Sequence, residues 1–158
     1  MESSISQINE LLVKVFDDIL KIEEVTLRNG PFTDVSVTEV HTIDAIGMYE
    51  KRTASEVAKT LNITAGTLTV AVNNLVKKGY VERFGDTEDR RIVKLGLTNR
   101  GRLLYRAHAQ FHLRMVRASI NGLAEAESEM LLKAFQGLHT FLDEFYQAEA
   151  AQPRRKRR

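Results

Sequence analysis

Residues 53–78 read TASEVAKTLNITAGTLTVAVNNLVKK, and this stretch decides the fold. Thr53 with Glu56 forms a capping box that opens a short helix of about 54–61. Asn62 falls where a tight turn wants a left-handed residue, a conformation Asn tolerates. Thr64 caps a second helix of about 65–78, closed by Gly79 after Lys77 and Lys78. The spacing turns Val57, Leu61, Ile63, Leu68, Val72 and Leu75 inward, and the small Ala58 lets the helices cross closely. This is helix-turn-helix spacing. Thr64, Ala65, Gly66, Thr67, Thr69, Val70 and Asn73 are left outward. Short side chains at the start of a helix let backbone and hydroxyls approach base edges and phosphates in a major groove. The helix N-terminus adds its own positive partial charge. Val70 is odd on a solvated face and fits a thymine-methyl contact. Thr53 and Lys77 complete this candidate set. Taken alone, the stretch also reads as an αα-hairpin with a Thr-rich surface.

Directly after it the period changes to two. Tyr80–Phe84 and Ile92–Leu97 alternate, and the polar stretch 85–91 between them forms turns. The pattern predicts a β-hairpin with a long charged tip, which makes the unit a winged helix-turn-helix. Arg90 and Arg91 at the tip have the reach and charge for a minor groove. Asp89, which would repel phosphate, is expected to brace the wing by pairing with a neighbouring Arg.

Further out, both flanks read as helix. Upstream, Ser36 and Glu39 form a capping box for a helix of about 37–48. Before it, Ser4 with Gln7 is a candidate box for a helix of about 4–28, which Asn29-Gly30-Pro31 ends. Its apolar residues Ile5, Ile8, Leu12, Val15, Ile19 and Ile22 recur at steps of three and four, and Leu11, Phe16, Leu20 and Val25 widen that face. So apolar a helix needs a large partner surface. Downstream, Thr98 caps a helix of about 99–120, Asn121-Gly122 ends it, and a last helix runs over about 124–149. The expected fold class is mainly α with a small β-hairpin wing.

Charge agrees with this layout. Residues 1–50 carry 3 basic and 10 acidic groups, residues 51–102 carry 11 and 5, residues 103–153 carry 4 and 6, and the last five residues are all basic. The net charge of +2 therefore hides a basic block over the helix-turn-helix and wing, set in an acidic frame. Such asymmetry suits a polyanion-facing segment, and on charge alone it equally suits an exposed, salt-bridged surface. The 158 residues suggest one domain or subunit, and the absence of Cys excludes disulfides, zinc ribbons and thiolate catalysis. A reducing cytoplasm is the expected location. The N-terminus lacks the basic start and apolar core of a signal peptide, and no apolar run is long enough for a membrane span. No Gly-rich phosphate loop, G-x-S-x-G elbow or H-E-x-x-H motif is present, so an enzyme is not expected. A winged helix used only for protein contacts is the other class to weigh, and the outward Thr/Asn surface argues against it.

The order of helices, the helix-turn-helix, the wing sequence Asp89–Thr98 and the two long helices after it resemble the MarR family of bacterial transcription regulators. The specific part of the resemblance is Leu75 to Thr98, with Lys78–Arg83, Asp89-x-Arg91 and Leu97-Thr98; Ala124 departs from the Ser or Thr cap of many members. The resemblance implies an intertwined homodimer through the first and last helices. The interface would then be the stripes on residues 5–25 and 124–146, the latter with Met130, Leu131, Ala134, Leu138, Phe141, Leu142 and Phe145. It divides the chain into dimerisation helices 1–34 and 99–150, a winged helix-turn-helix 35–98 and a basic tail 151–158. The implied partner is double-stranded DNA with a pseudo-palindromic operator; a membrane is not implied.

Two inputs compete, and an aromatic or phenolic ligand, or none, is the remaining alternative. Ile22–Arg28, Val40–Gly47, Gly66–Thr69 and Asn73–Leu75 look like the fatty-acid-synthesis repressors of Gram-positive bacteria. That implies a long-chain acyl group on acyl carrier protein as corepressor. An apolar tunnel would draw on Phe16, Leu20, His41, Met48 and Phe111, with Ile43 and Leu104, all of which also read as core. Arg102 or Arg106 would meet the acidic carrier. The alternative is a zinc-responsive repressor of metal uptake. His108 and His112 stand i, i+4 on one helix, so both rings share a face, and that spacing suits zinc. Glu24 and His41 would complete the shell, as the resemblance to zinc-uptake repressors implies. A His pair on a helix also serves as ordinary structure.

Overall fold

The computed structural model describes residues 2–85 and 92–150. In chain order the elements are α1 (Glu2–Asn29), α2 (Val37–Ile46), β1 (Arg52–Thr53), α3 (Ala54–Leu61), α4 (Ala65–Lys77), β2 (Val81–Gly85), β3 (Val93–Leu97), α5 (Asn99–Ile120) and α6 (Glu125–Ala150). The expected class, mainly helical with a small hairpin, holds.

The local stops and starts are where the side chains dictate them. Ser36–Glu39 and Thr53–Glu56 both close reciprocal capping boxes, and Thr64 Oγ1 accepts from the Thr67 amide. Asn62 is left-handed at φ 52°, the only non-Gly residue with positive φ among those described. Gly79, at φ 77°, lets the chain leave α4 and enter β2 without a Cβ penalty. Thr98 Oγ1 accepts from the Gly101 amide at 3.1 Å and starts α5. At α6, Glu127 supplies half a capping box to the Ala124 amide at 2.8 Å, which offsets the missing Ser or Thr. One expected cap fails. α1 already begins at Glu2, so Ser4 lies inside the helix and caps nothing.

The sheet has the order β1-β3-β2, with both pairings antiparallel. β2 and β3 pair from Val81–Leu97 to Gly85–Val93, which is the expected wing. β1 was not legible from sequence; Arg52 and Thr53 become strand only by pairing with Leu95 and Lys94.

Two compact units form, residues 1–111 and 112–158. In the first, the core is one cluster that includes Val40, Ile43, Ile46, Val57, Leu68, Leu75, Tyr80, Leu95 and Leu104. Val57, Leu68, Val72 and Leu75 are buried as the helix-turn-helix spacing requires, while Leu61 and Ile63 are half-buried. α5 comes so close to Tyr80, the residue before β2, that a Cβ on Gly101 would lie 2.2 Å from the Tyr80 carbonyl oxygen. α1 contributes a single buried residue, Glu23, while its apolar Ile5, Ile8, Leu11, Phe16, Leu20 and Val25 are exposed. In the second unit, α6 likewise exposes Met130, Phe135, Phe141, Leu142 and Phe145. No helix among the described residues is long and apolar enough to cross a membrane.

Candidate functional site

The outer face of α4 is built as the sequence suggests. Thr64, Ala65, Gly66, Thr67, Thr69, Val70, Asn73 and Lys77 are all exposed, and Val70 keeps 61% of its surface in solvent. The first turn of α4 holds no acidic residue, so the positive end of its dipole is not neutralised by a side chain of that turn. Thr64 and Thr67 hydroxyls bond each other at 2.9 Å, and Thr69 Oγ1 donates to the Ala65 carbonyl at 2.7 Å. Thr53 is half-buried and held on both sides by Glu56, whose carboxyl pKa is lowered chiefly by the hydrogen bond from the Thr53 hydroxyl. Its place in the structure is the cap of α3. Asp89, Arg90 and Arg91, and the basic tail, lie outside the described residues.

A polar strut fixes how α4 is carried. Lys78 Nζ, at the end of α4, donates to both carboxylate oxygens of the buried Glu39 at 2.8 Å. Tyr80 Oη donates to Asp34 at 2.6 Å, and Arg100 reaches the other Asp34 oxygen at 3.0 Å while donating to the Lys78 carbonyl. Burial first, and then the bond to Asp34, push the Tyr80 hydroxyl up to about 12. That same bond is the main cause of a lowered Asp34 pKa. Arg83 on β2 donates to Asn73 Oδ1 at 2.5 Å. Sequence reasoning missed this contact, although strand alternation from the buried Val81 puts Arg83 on the same side of β2.

A second site lies where α1, α2 and α5 meet within the first unit. His108 is 8% exposed, with Nδ1 2.5 Å from Asp44 Oδ2 and Nε2 3.0 Å from Glu23 Oε1. His41 Nε2 approaches Glu23 Oε2 at 3.4 Å. Burial pushes the His108 pKa down, but the bonds to Asp44 and Glu23 outweigh it and hold the ring above its ordinary range. Only the doubly protonated ring can donate to both carboxylates at once. Glu23, His41 and His108 bring ligand atoms within 4.8 Å of one another.

This corrects the four-residue set read from sequence. Glu24 faces solvent and pairs with Arg28, and Glu23 takes the inner position. Burial in the structure marks the inner row: Ile19, Glu23 and Leu27 are the least exposed residues of their stretch of α1 and stand at i, i+4 steps. His112, one turn along α5, is half-buried and is not in the group.

Of the expected tunnel residues, Leu20 lines a cleft of about 820 Å³ with Leu27, Val35, Val37, Asn74 and Lys78. That volume is within the usual range for small-molecule sites. Phe111 stacks on His108 at 6.4 Å, and His41 lies 5.7 Å from the same ring. Phe16 is exposed and Met48 half-buried, and neither lines the cleft. Ile43 and Leu104 belong to the core. Arg102 is held by the Met48 carbonyl and stacks on Tyr49, while Arg106 is exposed.

A family model described as MarR family matches residues 33–92. The crystal structure of Streptococcus pneumoniae FabT in complex with DNA is 45% identical, covers 89% of this chain and 99% of that one, and superposes with a TM-score of 0.83. A MarR family protein from Bacillus stearothermophilus shares the fold at 15% identity, with a TM-score of 0.74 over 90% of this chain and 98% of that one. The HTH-type transcriptional regulator PchR of Bacillus subtilis is 23% identical over 68% of this chain and 66% of its own length. The repressor YetL of the same organism is 29% identical over 56% of each. The chain thus spans between half and two thirds of these two regulators. A winged helix-turn-helix with the expected faces, matched over nearly its whole length by a DNA-bound relative, leaves one conclusion: the chain belongs to the MarR family of transcription regulators.

Proposed function

We propose that the protein is a homodimeric repressor that binds a pseudo-palindromic operator and responds to a long-chain acyl group on acyl carrier protein, controlling fatty-acid synthesis genes. The observation that carries this reading is the 45% identity to FabT over 99% of that chain. The exposed apolar faces of α1 and α6, each too large for an ordinary solvated helix, support dimerisation. The test is a mobility shift on promoter DNA of the host's fatty-acid synthesis genes, with and without acyl carrier protein charged with a long acyl chain. Charged carrier should tighten binding and uncharged carrier should not. Binding unchanged by the charged carrier would remove the corepressor.

One observation favours a second reading, a divalent metal as input. Glu23, His41 and His108 offer one carboxylate and two imidazoles, a donor set that suits zinc. Asp44 on His108 Nδ1 would orient that ring for a metal on Nε2, the usual outer partner of a ligating His. Titration of the apoprotein with zinc by calorimetry separates the readings. Tight binding that His108→Gln abolishes, with a matching change in operator affinity, would favour metal.

A further inference from the structure

The hydrogen bonds on the outer face of α4 bear on which base the helix reads. Asn73 stands one turn beyond Thr69 on the exposed face. An Asn amide offers two donors on its nitrogen and an acceptor on its oxygen. Reading adenine in the major groove uses both ends together, the oxygen for N6–H and the nitrogen for N7. In this protein the oxygen end is turned toward β2, where Arg83 Nη2 donates to it at 2.5 Å. A hydrogen bond from a guanidinium is charge-assisted, the stronger kind, and with the oxygen so engaged the amide nitrogen is the end left to face outward.

We propose that Arg83 is a positioning residue for base recognition: it holds the Asn73 amide with its two N–H donors toward the groove, so that Asn73 selects guanine over adenine. Guanine presents two acceptors there, N7 and O6, whereas adenine presents beside its N7 a donor that needs the oxygen end, which is turned toward Arg83. This inference rests on the DNA-binding reading above. It differs from the ordinary expectation for an Arg at this surface, a phosphate contact that carries no base preference.

The test is selection from a double-stranded library of about twenty random base pairs, enough for two half-sites one helical turn apart. Full-length wild type, Arg83→Ala, Asn73→Ala and the double variant are compared, with melting curves to show that each is folded. Wild type should prefer guanine to adenine by roughly fivefold or more at one position per half-site, the scale of a good base contact. Asn73→Ala should erase discrimination at that position alone. Arg83→Ala should lose or reverse the preference there and leave other positions unchanged, and the double variant should match Asn73→Ala. The proposal is overturned if Arg83→Ala weakens all sequences alike and lowers the salt slope by about 0.9, the mark of one lost phosphate contact. It is also overturned if wild type selects adenine at the position that Asn73→Ala erases, or if that variant erases none. If wild type enriches no sequence at all, the DNA-binding reading fails together with it.

Discussion

Replacing His108 with Leu should destabilise the protein strongly, and adding Glu23→Leu should return most of the loss. The ring is 8% exposed and the Glu23 side chain 3%, with 3.0 Å between them, so this pair is shielded from water. Asp44, on the other ring nitrogen, is 37% exposed and can be solvated when the ring is gone. Glu23 cannot. Removing one partner of a buried pair costs about 3–5 kcal/mol, because the remaining charge stays buried. At roughly 2–4 °C per kcal/mol for a chain of this size, the melting temperature should fall by about 6–20 °C. Glu23→Leu alone should cost less, about 1–3 kcal/mol, because His108 keeps its bond to the half-exposed Asp44. An apolar pair of similar volume is close to neutral against an ion pair, so the double variant should show about 2 kcal/mol or more of favourable coupling. Thermal and urea melts report this, at fixed protein concentration because association shifts apparent stability. Strictly additive losses, or a His108→Leu cost under about 1 kcal/mol, would refute the buried ion-pair account.

Gly101→Ala should cost about 2–3 kcal/mol in the same melts, because its Cβ would sit 2.2 Å from a backbone oxygen that cannot swing away. Thr64→Ala should cost about 1 kcal/mol by losing the cap of α4, and Thr64→Ser should keep it. Absorbance titration of tyrosinate should show one group near pH 12 that Tyr80→Phe removes. Since the folded pKa is raised from 10 to about 12, the Tyr80 contribution to stability is complete below pH 10 and is lost as the pH rises toward 12.

The helix-turn-helix was legible because its signals are local. Thr53, Asn62, Thr64 and Gly79 act within a turn of their own backbone, and the buried Val57, Leu68, Val72 and Leu75 announce themselves by period. The buried polar group between α1, α2 and α5 is legible only in part. His41 and His108 stand out by residue type, but the apolar stripes on α1 do not say which of the adjacent Glu23 and Glu24 points at α2 and α5. Ser4 was mistaken for a cap because a Ser three residues before Gln matches the box whether or not the helix has already begun.

By itself, then, the sequence determined the helices and the wing hairpin, the outward face of α4 and the family, since each depends on residues a few positions apart or on a contiguous motif. Tertiary structure alone decided what meets what. Asp34 reaches Tyr80 across 46 residues, Asp44 reaches His108 across 64, and Glu23 reaches the same ring across 85. The two-residue β1 exists only through its pairing with β3. Arg83 lies ten positions from Asn73, with a turn and a change from helix to strand between them. No periodicity spans such separations. They are set when the core closes and brings distant polar groups to the same place, where the buried Glu23, Tyr80 and His108 are satisfied by protein partners rather than by water.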